Sequence, residues 1–268
     1  MHLRPPAVAG AFYPADSETL ARDVRELMVP GVSSRRVFGA VVPHAGYVYS
    51  GAVAGAVYAR MAPVRTVVLL GPNHTGRGAP AALDPHDAWR TPLGAVPIDA
   101  EIAARMEELC PNLERDAAAH AREHSLEVQL PFLQAWSPSA AIVPISIGAP
   151  SLDLCREIGD ACASVAGEAR EPLAVVASSD MNHYESREAG DAKNAFAFGA
   201  IERIEPETLF GEVMARDISM CGFLPATALL FAARRRHVDR AEIVARADSG
   251  DRTGDTTSVV GYAGILVG

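Results

Sequence analysis

Cysteine is scarce in this chain of 268 residues: there are four, and none falls in a zinc-finger spacing. Such a set reads as reduced thiols and excludes a disulfide framework. Positive charge is also short, with a net charge of -9. That balance argues against a nucleic-acid partner, which needs a basic footprint. The basic cluster Arg234 to Arg236 suits a helix C-terminus, where cations complement the dipole. Long apolar runs are missing too. None approaches the roughly 18 residues of a membrane span, and the opening "MHLRPPAVAG" lacks the apolar core of a signal peptide. The expectation is a cytoplasmic protein with no membrane partner. No repeat, low-complexity tract or linker interrupts the chain, so residues 1–268 read as one domain. Hydrophobic residues at 49% and charged residues at 21% supply a full core.

What is present is alternation. "VFGAVVP" (37–43), "RTVVLLG" (65–71), "AIVPISIG" (141–148) and "PLAVVASSD" (172–180) are short apolar runs that predict buried strands. "GAVAGAVYARM" (51–61) is a small-residue helix, 188–236 is a long helical stretch, and "AEIVARADSG" and "SVVGYAGILVG" are two closing strands. The pattern predicts an α/β layered domain, with a central mixed, largely parallel sheet and helices on both faces. In such folds functional groups collect at the carboxyl ends of strands.

That rule finds His44 in "VPHAGYVYSG", His74 in "GPNHTG", and Asp180 with His183 in "SSDMNHY". The chain has only eight histidines. Two imidazoles at strand ends suit iron, zinc or copper but need a third ligand. Asp180 and His183, three apart, suit an acid/base pair in which the carboxylate orients the imidazole; the alternative is that Asp180 caps a following helix. "REHSLEVQLPFLQAW" reads as an amphipathic helix with Leu126, Leu130 and Leu133 on its apolar side. His124, near its start, is a substrate-facing or ligand-supporting group. Its spacing to Glu127 resembles half of a carboxylate-bridged metal motif. Phe12, Tyr13, Tyr47 and Tyr49 are candidate pocket walls, suited to a planar or peptide-like ligand.

Cys221 precedes an apolar run with Pro225 in its first turn and arginines at its far end. A helix N-terminus there would favour a thiolate. A nucleophile with His183 as base, and a metal ligand beside two histidines, are both open. Cys110, Cys155 and Cys162 read as small core or surface residues in helices.

Taken together, "AGAFYPAD", "VPHAGYVYSG", "GPNHTG", "EHSLEVQLPFLQ", "VPISIG", "SSDMNHY" and "CGFLPATALL" resemble the Memo family, also called AmmeMemoRadiSam system protein B. The family is similar in fold to class III extradiol ring-cleaving dioxygenases, which hold non-haem Fe(II) with two histidines and a glutamate. The resemblance implies His44, His74 and Cys221 as metal ligands, with Cys221 where the dioxygenases have a carboxylate. It implies His183 as acid/base, accompanied by Asp180. The implied cofactor is Fe(II), with copper or zinc as alternatives, since a thiolate makes the site softer. The expected function is a redox or oxygenase-like oxidoreductase acting on a small-molecule or peptide-like ligand. A non-catalytic metal-binding protein and a zinc hydrolase are the alternatives.

Overall fold

The computed structural model describes residues 2–268. Four parallel strands make the centre of the main sheet, in the order Gly39–Val42, Leu173–Ser178, Thr66–Pro72, Ala141–Ile147. Val259–Val267 pairs antiparallel with Gly39–Val42, and Ala81–Leu83 antiparallel with Ala141–Ile147, so the sheet is mixed. The short strands His183–Glu185 and Glu114–Arg115 end the order, and Ala241–Asp248 pairs with Val259–Val267. The central strands are apolar and buried along nearly their whole length. Strand residues face alternate sides. Ala40, Val42, Val67, Leu69 and Val176 enter one core, and Val41, Val68, Leu70, Val175 and Ala177 the other. Each core is covered by helices: Ser17–Leu27, Tyr47–Tyr58 and Leu130–Trp136 on one side, and Leu152–Glu168 with Phe223–Arg235 on the other. No helix among the described residues is long and apolar enough to cross a membrane.

Three expectations change. The stretch 188–236 is three helices, Arg187–Glu202, Pro206–Ala215 and Phe223–Arg235. Left-handed backbone at Ile204 (φ 54) and Asp217 (φ 50) breaks the helical path, and Pro206 starts a new helix rather than continuing one. The small-residue helix begins at Tyr47 rather than at Gly51. The stretch Arg122–Trp136 is not an amphipathic helix: one 3-10 turn, Glu127–Gln129, runs into the helix Leu130–Trp136. Glu123, Ser125, Glu127 and Gln129 are as buried there as Leu126 and Leu130. Their polar atoms are satisfied inside the protein, so the polar positions mark no solvent face.

A second, small sheet joins Leu3–Arg4 to the hairpin Ala88–Thr91/Gly94–Pro97. It carries the fully buried Arg4 to Glu127, at 2.6 Å. The Arg4 guanidinium also donates to the carbonyls of His120 (2.9 Å) and Glu123 (2.7 Å), and lies 4.0 Å over the Trp89 ring. Arg234 and Arg235 occupy the last turn of their helix and pair with Glu207 and Asp160.

Candidate metal centre

Three neighbouring strands deliver the polar groups. Gly39–Val42 leads to His44, Thr66–Pro72 leads to His74, and Leu173–Ser178, between them, leads to Asp180 and His183. Because the strands are parallel and adjacent, their carboxyl ends open on one edge of the sheet. The turn before the helix Phe223–Arg235 brings Cys221 to the same place. One donor atom each from His44, His74 and Cys221 lies within 4.8 Å of the others, a set that could hold a metal ion. The same holds for Asp180, His183 and Cys221, and for His74, Glu123 and His124. Cys221 Sγ is 3.1 Å from His44 Nε2.

Supporting hydrogen bonds aim the rings. His74 Nδ1 is 2.9 Å from Glu123 Oε1, and the His74 backbone N–H donates to Glu123 Oε2 at 2.6 Å. His183 Nδ1 donates to the Ser219 carbonyl at 2.8 Å, which leaves Nε2 of the neutral ring as the lone-pair nitrogen. Burial pushes the Glu123 carboxyl up, but the hydrogen bonds from His74 and Ser125 outweigh it and hold the group down to about 2. Burial, aided by the neighbouring imidazoles, pushes His44 well below the usual histidine range, and burial holds His124 down to about 4. Rings kept neutral are the form that ligates metals. His124 stacks on His74 with centroids 4.6 Å apart, meets His44 edge-on at 5.4 Å, and packs against Phe12 at 4.6 Å.

Cys221 sits just ahead of the helix N-terminus, yet its thiol is pushed up, not down. Burial dominates, and the Asp180 carboxylate adds to it. The expected dipole stabilisation of a thiolate is therefore outweighed. Gly222 lets this turn approach the sheet: a Cβ there would lie 2.2 Å from the Ser178 carbonyl oxygen and 2.5 Å from Ser179 Cβ. Gly222→Ala is expected to cost about 1–3 kcal/mol through overpacking. Thermal denaturation checks it, and an unchanged melting temperature would show that the turn can give way.

Asp180 caps no helix, and no direct hydrogen bond joins it to the His183 ring, although a donor atom of each lies within 4.8 Å of the other. Its Oδ1 accepts the His44 backbone N–H at 2.8 Å, and its own N–H points to Cys221 Sγ at 3.3 Å. It thus ties the His44 loop to the Cys221 turn. Burial pushes its carboxyl up to about 7, against the opposing bonds from the His44 and Ala45 amides. Tyr13 and Tyr47 belong to the core, not the pocket wall: Tyr13 donates to Glu127 Oε1 at 2.7 Å and Tyr47 to the Val128 carbonyl at 2.7 Å. Tyr49 is exposed and Phe12 half-buried beside His124. Glu127 turns away from His124 and into the Arg4 pair. Cys110, Cys155 and Cys162 are buried. Sequence reasoning missed Glu123, Ser178 and Ser219. A carboxylate beside His124 hinted at the first, Ser178 opens the stretch "SSDMNHY" without a signal of its own, and no local pattern marks Ser219.

Comparison with known proteins follows the same residues. The Memo family, described as Memo-like protein, matches residues 4–266. A MEMO1 family protein of Methanosarcina acetivorans is 40% identical over 269 residues, spanning 100% of both chains. One from Aquifex aeolicus is 39% identical over 269 residues, covering 99% of each. The crystal structure of an uncharacterized protein, JW3007 from Escherichia coli K12, shares the fold with a TM-score of 0.52 and 15% identity, over 76% of this chain and 86% of that one.

Proposed function

This chain belongs to the Memo family, and from that premise we propose that it binds one transition-metal ion through His44 Nε2, His74 Nε2 and Cys221 Sγ. Fe(II) is the favoured ion, with copper or zinc as alternatives. The convergence of these three donors carries the reading. Two imidazoles with a sulfur ligand fit a borderline or soft cation and leave coordination positions open. A bound iron or copper ion would supply redox chemistry, and the protein is proposed to act as an oxidoreductase on a small-molecule or peptide-like ligand.

The chain's own residues complete the arrangement. His183, with Nδ1 fixed on the Ser219 carbonyl, offers Nε2 to accept a proton at the pocket. Asp180 holds the ligand loop and the cysteine turn in register. His124, stacked on His74 and packed against Phe12, walls one side of the pocket.

Metal analysis of protein purified without oxygen tests the reading. About one iron per chain is expected, with a nitric oxide adduct spectrum from the ferrous form. Retained zinc without redox activity would favour a hydrolase. Tight Cu(I) binding without turnover would favour a carrier. Absence of any bound metal after loading would overturn the site.

A further inference from the structure

The two histidine ligands are backed by one short segment, Glu123-His124-Ser125, although the ligands themselves follow different strands. On the His74 side the contact is direct: Glu123 Oε1 lies 2.9 Å from Nδ1. On the His44 side it runs through Ser178. His44 Nδ1 is 2.9 Å from Ser178 Oγ, and Ser178 Oγ is 2.7 Å from the buried Ser125 carbonyl. The Ser125 N–H in turn donates to Glu123 Oε1 at 2.9 Å.

Counting protons decides the direction of this chain. A serine hydroxyl has one hydrogen and two lone pairs. The Ser125 carbonyl can only accept, so the 2.7 Å contact requires the Ser178 hydrogen there. Gln129 Nε2 donates to Ser178 Oγ at 2.9 Å; its amide orientation is fixed by the Pro43 carbonyl, which takes Nε2, and by the Tyr58 hydroxyl, which donates to Oε1. One lone pair of Ser178 remains for His44, so His44 Nδ1 must carry the ring hydrogen. The opposite assignment would turn the Ser178 hydroxyl to His44. It would leave the buried Ser125 carbonyl facing a lone pair, at the cost of an unsatisfied buried acceptor.

We propose that Ser178 is a positioning residue that locks His44 as the Nδ1–H tautomer, and that Ser125 joins this lock to the Glu123 support of His74. The His44 Nε2 lone pair then faces the pocket before any ion arrives. The inference rests on the proposed metal-binding role for its purpose, but the tautomer is a property of the metal-free protein.

The test uses nitrogen NMR of metal-free, full-length protein labelled with ¹⁵N-histidine at a pH where the rings are neutral. The His44 signals are assigned by their loss in His44→Gln. The expected wild-type spectrum shows a protonated Nδ1 and an unprotonated Nε2 for His44. In Ser178→Ala the Nδ1–H form should lose its dominance, and metal affinity should fall about 10–100-fold, the usual range for groups that orient a ligand. Ser178→Thr, which keeps the hydroxyl, should restore both. A wild-type His44 protonated at Nε2 would overturn the proposal whether or not Ser178→Ala folds. So would a Ser178→Ala protein with an unchanged tautomer. If the tautomer is as expected but no metal binds, the lock stands and the metal reading fails.

Discussion

Glu127→Ala is expected to lower the melting temperature by about 10 °C. The Glu127 carboxylate is fully buried and receives four donors: Arg4 Nη1 at 2.6 Å, the N–H groups of Ala7 at 2.7 Å and Val8 at 2.9 Å, and the Tyr13 hydroxyl at 2.7 Å. Removing it strands a buried guanidinium, which typically costs about 3–5 kcal/mol. At roughly 2–4 °C per kcal/mol for a chain of this size, the shift is easily measured by calorimetry or circular dichroism. Swapping both partners of a buried pair for apolar residues is often neutral. That escape is closed here, because the two amides and the phenol would still lose their acceptor. A shift within about 2 °C, under 1 kcal/mol on the same scale, would mean that water reaches Arg4.

Loss of bound metal is the second large effect, expected in Cys221→Ser and in His44→Ala. Groups that merely orient a ligand contribute about 10–100-fold in affinity, so deleting a ligand should cost at least the upper end of that range. Serine keeps the shape of Cys221 but offers a neutral hydroxyl where the site would use a thiolate. His44→Ala removes a ring that also packs edge-on against His74 at 5.1 Å and His124 at 5.4 Å. Elemental analysis beside an unfolding curve separates lost metal from lost fold. Full metal retention in both variants would move the site away from the carboxyl ends of these strands.

The central sheet was legible because buried parallel strands are continuous apolar runs, and the strand-end rule then pointed to His44, His74, Asp180 and His183. Apart from the family resemblance, Cys221 was legible as a helix-start cysteine with nucleophile and ligand both open; its neighbourhood depends on a turn that carries it back to the sheet. What stayed hidden was the side-chain partnering. Glu123 and Glu127 look alike in sequence, four residues apart, yet one holds His74 and the other holds the N-terminal loop. Tyr13 and Tyr47 sit in motif-like stretches beside the ligands, but their rings turn into the core. Periodicity misled at 122–136 because buried polar groups with internal partners mimic a solvent face.

The separation of the donors along the chain bears on how the protein is made. His44 and Cys221 lie 177 positions apart. At about 5–20 residues per second of synthesis, roughly 10–35 s pass between the appearance of the first proposed ligand and the last. A growing chain on the ribosome therefore has no complete chelate for most of its synthesis. Metal capture at the proposed site would then be a late event, set by the metal pool that the finished chain meets rather than the one present when His44 emerges.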